Sequence, residues 1–186
     1  LFATGISRDG DTNFVKLASA RLMPVLRSRA PWLIAGSLVG ISLGLVSSQF
    51  EAALEKTIAL AYFIPVIAYI ADSVGTQSEA ITVRALATLK LSYATYLLRE
   101  VTIGFMLGAI LGTMGAIGSW LIGGDPSVAI VVGLSLVTAS TLSTGLAAAI
   151  PILFKVAGKD PALGSGPIAT ALQDILSLVV YFIFAL

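Results

Sequence analysis

The chain has no cysteine and no histidine. Their absence excludes disulfides, thiolate and imidazole metal sites, Cys and Ser–His nucleophilic chemistry, and histidine pH sensing. A metal ion could then be held only by oxygen, from carboxylates, hydroxyls, amides, backbone carbonyls or water. Oxygen favours hard cations such as Mg²⁺, Ca²⁺ and Mn²⁺. Charge is also scarce. Only 11% of residues are charged, where a soluble chain carries about a quarter. The formal net charge of +1 leaves no basic excess for nucleic acid, so none is expected as a partner. What is abundant is apolar surface: 57% of residues are hydrophobic and mean hydropathy is +0.98. Too few charges remain to cover a water-facing shell, so lipid must do part of the covering.

Stretches poor in charge mark five candidate spans, at residues 30–50, 57–71, 101–124, 126–154 and 161–186. The second is short and is able to extend past Asp72. Roughly 20 apolar residues cross a bilayer core of ~30 Å. Runs of this length must satisfy their own backbone, so the expected fold is all-α and polytopic, with five transmembrane helices per chain. Loop charge supports the count. With the N-terminus in the cytoplasm, ten of the 11 basic residues fall on inner segments and only Lys56 falls outside, a strong positive-inside bias. The C-terminus is then expected outside.

Residues 1–29 are expected to form an N-terminal linker, and residues 30–186 the pore domain. Residues 14–29 mix Lys16, Arg21, Arg27 and Arg29 with Leu and Val. That pattern predicts an interfacial amphipathic helix leading into the first span, with a gating linker as the alternative. The chain starts at Leu1, and a preceding N-terminal regulatory part is expected. In the third span, Gly104, Gly108 and Gly112 recur at four-residue spacing, which predicts close helix packing within one subunit. The fourth span carries Ser135, Thr138, Ser140, Thr141, Ser143 and Thr144, read as hydroxyls that bond back to their own helix or across to a neighbour, with a polar pore lining as the alternative.

The carboxylates sort by position. Glu51, Glu55, Glu79, Glu100 and Asp125 read as loop or border residues. Asp174 lies inside the last span. With a helix starting near Gly164 it is about 15 Å deep at 1.5 Å per residue. A charge there costs at least ~2.5 kcal/mol and usually faces a cavity or partner, and no span offers a basic residue at that depth. Asp174 therefore reads as an ion ligand, with a protonated, hydrogen-bonded carboxyl as the alternative. Asp72, at the end of the second span, and Asp160, before the last, are expected to ring an inner mouth. Each also suits a helix cap or turn. One midplane carboxylate per chain is a poor Mg²⁺ site, because Mg²⁺ keeps most of its waters and binds one or two carboxylates. A homodimer with the pore at or near its interface supplies two.

These residues resemble the membrane domain of the MgtE family of Mg²⁺ channels and transporters, from about Arg29 to Leu186. The resemblance is carried by Ala30-Pro31-Trp32-Leu33, Phe50-Glu51, Phe63-Ile64-Pro65, Gly75-Thr76-Gln77, Arg84-Ala85-Leu86-Ala87 and Arg99-Glu100. Asp160-Pro161-Ala162, Ser165-Gly166-Pro167 and Asp174 complete it. It implies a dimeric divalent-cation channel or transporter, not an enzyme, in which spans two and five line the pore. The resemblance further implies that the position of Asp174 holds hydrated Mg²⁺, assisted by the backbone carbonyl at Thr170. Mg²⁺ is the expected ion, with Mn²⁺ and Co²⁺ as further candidates. The rival reading is a proton- or sodium-coupled solute transporter that uses Asp174 as proton carrier. The inverted repeats usual in such folds are not evident in this sequence.

Overall fold

The computed structural model describes residues 22–123 and 125–186, and every regular element among them is a helix. In chain order these are α1 (Leu22–Ser48), α2 (Glu51–Lys56), α3 (Ala59–Thr88), α4 (Tyr93–Gly123), α5 (Pro126–Val156) and α6 (Pro161–Ala185). The linker and amphipathic helix expected near the N-terminus lie outside the described residues as far as position 21. Residues 22–29 are the first turns of α1, which runs on through Pro31.

Four helices are long and apolar enough to cross a membrane among the described residues: α3, α4, α5, and Ser165–Ala185 within α6. In α1 the apolar stretch, Leu33–Ser48, is shorter. The multi-pass helical architecture therefore stands on four helices. The second of the expected spans is much longer than residues 57–71. It continues as unbroken helix to Thr88.

Helix starts are written locally. Asp125 precedes α5 and accepts a hydrogen bond from the Ser127 amide at 2.8 Å, with Pro126 in the first turn. Asp160 does the same for α6, accepting from the Ala162 amide at 3.0 Å ahead of Pro161. Both satisfy an amide that the helix itself leaves unpaired.

α5 is the central helix, packed against α3, α4 and α6, while α1 rests on α6. α4 approaches α5 closely because glycines line its inner face. A Cβ at Gly108 would sit 2.8 Å from the Val137 carbonyl oxygen, and one at Gly112 would sit 2.7 Å from that of Gly133. Lipid tails are as apolar as leucine, so close backbone packing and polar bonds must hold such helices together. The glycine spacing is thus an intrasubunit contact, as expected. Ser135, Ser140, Ser143 and Thr144 are wholly buried in this bundle. Thr141 and Thr144 bond back to their own helix as expected, but the hydroxyls of Ser135, Ser140 and Ser143 have no hydrogen-bond partner, which corrects the expectation for those three. One apolar cluster, including Leu60, Phe63, Ile67, Leu136, Tyr181 and Phe182, fills the half towards the start of α3. A smaller one, Leu86, Tyr96, Ala148 and Ile152, fills the other half.

Candidate functional site

α3 and α6 run antiparallel, and three contacts fix their register. Near one end the Tyr181 hydroxyl donates to the Leu60 carbonyl at 2.7 Å. In the middle, Gly75 makes room for Gln173: a Cβ there would lie 1.7 Å from the Gln173 Oε1. Near the other end the Ser165 hydroxyl donates to Glu79 Oε1 at 2.7 Å. This register sets Asp72 level with Asp174.

Asp174 lies near the middle of the apolar stretch Ser165–Ala185. It is half-buried and opens onto a groove of about 400 Å³ between α1 and α6. Leu33, Gly36 and Ser37 form one wall, with Pro167, Thr170 and Ala171 on the other. Gly36 permits that approach, since a Cβ there would lie 3.6 Å from the Pro167 carbonyl oxygen. The Thr170 carbonyl precedes Asp174 by one helical turn. A carbonyl that accepts the ladder bond keeps a second lone pair, so it remains able to meet a hydrated ion.

Asp72 is where the sequence reading needs correction. It stands in the middle of the helix Ala59–Thr88, not at the end of a span. It lies within electrostatic reach of both Asp174 and Glu79. Its Oδ1 is buried without a hydrogen-bond partner. The polar run after Asp72 resembles the exit of a span because it mixes Ser, Thr, Gln and Glu. In the fold Ser78, Glu79 and Thr82 are buried against neighbouring helices, while Thr76 and Gln77 stay exposed, and the helix runs on through all of them. Asp160 is exposed and caps α6, far along that helix from Asp174.

Glu79 and Glu100, read as border residues, are also corrected. Glu79 is 9% exposed and Glu100 4%. Ser165 donates to Glu79, while Ser78 of α3 donates to Glu100 of α4. One turn on, Thr82 and Tyr96 join their hydroxyls at 3.1 Å. The Gln173 amide, 1% exposed, has no partner at either atom. The seam around α3 is therefore polar at its centre. A local signal existed for Glu79: together with Asp72, Gly75 and Ser78 it recurs at three- and four-residue spacing, the period of one helix face. Among the described residues no group of three or more Asp or Glu is placed to hold a metal ion by itself.

Comparison with known proteins finds similarity to one family. The family described as divalent cation transporter, MgtE, matches residues 64–184. Magnesium transporter MgtE of Bacillus subtilis is 32% identical across 95% of this chain and 42% of its own length. Its namesake in Enterococcus faecalis is 32% identical across 90% of this chain and 38% of its own length. The Thermus thermophilus protein of that name is 33% identical across 83% of this chain and 35% of its own length. The chain thus spans about two fifths of the curated relatives it matches.

Proposed function

This chain belongs to the MgtE family of divalent cation transporters, and on that footing we propose that it forms the membrane pathway for hydrated Mg²⁺. The observation that carries the proposal is Asp174: a carboxylate halfway along an apolar helix, open to a groove rather than sealed in the core. Burying a charge there is costly unless the groove admits water or a cation.

The working unit is a homodimer in which α1 serves as the fifth span, the N-terminus is cytoplasmic and the C-terminus outside. Two copies bring two Asp174 carboxylates around one ion that retains most of its water, the coordination Mg²⁺ prefers. The Thr170 carbonyl receives a water of that shell. Asp72 acts from α3 at the same level, adding negative potential rather than a mouth site. Asp160 contributes its charge at the cytoplasmic mouth while capping α6. Focusing of this kind raises local cation concentration and weakens with salt. All four residues act on the cargo ion, and none has a catalytic role.

Mg²⁺ uptake into liposomes tests the proposal, with K⁺ flux as reference. Asp174→Asn keeps size and hydrogen bonding but removes both charges of the pair. Uptake should fall at least tenfold or lose its preference for divalent ions, while folding and expression persist. Wild-type uptake and selectivity in Asp174→Asn would refute it. Mn²⁺ and Co²⁺ in the same assay show how far the hydrated-ion geometry discriminates.

A further inference from the structure

At the end of the bundle where α3 and α5 finish and α4 begins, a pocket of about 290 Å³ is lined by Leu86, Leu89, Lys90, Leu91, Tyr93 and Lys155. It lies well away from Asp174. No carboxylate lines it, and two ammonium groups do. Lys155 donates to the Leu86 carbonyl near the end of α3. That bond answers the negative end of α3 and still leaves two of the three ammonium donors unused. Apolar side chains share its lining: Leu89 is 61% exposed and Tyr93 39%, beside Leu86 and Leu91.

We propose that this pocket binds the headgroup of an anionic phospholipid, with its phosphate between Lys90 and Lys155 and its acyl chains along Leu89, Leu91 and Tyr93. Charge complementarity selects the headgroup. A zwitterionic lipid brings its own cation towards two lysines, whereas phosphatidylglycerol brings none. The flanking apolar surface selects lipid over free phosphate, since a soluble anion would leave those side chains uncovered. Juxtamembrane basic residues gain about 1 kcal/mol each near an anionic leaflet, equivalent to roughly fivefold in occupancy. Lipid held here would bridge α3, α4 and α5 at the start of the polar seam, independently of which ion crosses the membrane.

The test is native mass spectrometry of the purified chain in detergent, titrated with phosphatidylglycerol or phosphatidylcholine. The wild type should retain phosphatidylglycerol preferentially. Lys90→Gln should lower that retention about fivefold, and Lys90→Arg should keep it. Lys159→Gln, an exposed lysine outside the pocket, should also keep it, which separates the pocket from general surface charge. Three results would each overturn the proposal: equal retention of the two lipids, undiminished retention in Lys90→Gln, or an equal loss in Lys159→Gln. Displacement of the lipid by excess inorganic phosphate would overturn it too, by making the pocket a free-phosphate site.

Discussion

At the scale of single residues, the carboxylates divide by what surrounds them. Asp160 accepts a backbone amide and faces solvent. Asp160→Asn keeps the cap and removes the charge, so it should leave thermal stability unchanged while modestly lowering Mg²⁺ uptake at low salt. Asp160→Ala should additionally lose about 1 kcal/mol of stability, visible as a lower unfolding temperature in detergent. Asp72 has an oxygen with no partner to lose, so Asp72→Asn should fold as well as the wild type. It removes a unit charge from the level of Asp174. At a separation of about 10 Å and an effective dielectric of ~20, that is roughly 1 to 2 kcal/mol of attraction for a cation. The half-saturating Mg²⁺ concentration in liposome uptake should rise about tenfold; no change would place Asp72 outside the ion's field.

At the scale of elements, the glycines of α4 and α3 look alike in sequence and differ in what opposes them. Gly108 faces the Val137 carbonyl oxygen, a backbone atom held by helix α5. Gly108→Ala should therefore force α4 and α5 apart and cost about 1 to 3 kcal/mol. Gly118, with nothing within 4 Å of its would-be Cβ, should accept alanine with neutral or slightly improved stability, since alanine favours helix by about 1 kcal/mol. Comparing unfolding midpoints of the two variants checks both. Gly75 is a third case, because it faces the end of a flexible Gln173 side chain. Gly75→Ala should destabilise the α3–α6 contact, and adding Gln173→Ala should recover most of that loss.

At the scale of the whole molecule, the bundle lacks one continuous apolar core. Apolar clusters occupy its two halves, and polar side chains meet between them on α3. Large apolar side chains instead cover the outside: Leu38, Ile41 and Leu45 of α1 and Phe105, Met106 and Ile110 of α4 are all more than half exposed. That surface suits lipid or a second copy. The groove at Asp174 is open on one side, as half of a shared pathway would be. The purified chain should have the mass of a dimer in detergent under conditions that support uptake. A monomer that still transports would break the two-carboxylate model.

Much of this was legible in the sequence because hydropathy acts locally. A run of apolar residues must become helix wherever lipid surrounds it, so the spans containing α4, α5 and α6 could be read directly. The cap at Asp160 follows from adjacent residues, and the isolation of Asp174 within an apolar run marks it without any fold. The polar second half of α3 defeats this reasoning. Its buried Ser78 and Glu79 find their partners on α4 and α6, Ser78 with Glu100 and Glu79 with Ser165. Those partners lie 22 and 86 positions away in the chain. Sequence alone determined that Asp174 would sit at mid-helix. Only the antiparallel packing of α3 on α6 decided that Asp72 stands at its level, because the energetic cost of a polar group depends on what faces it across the helix contact.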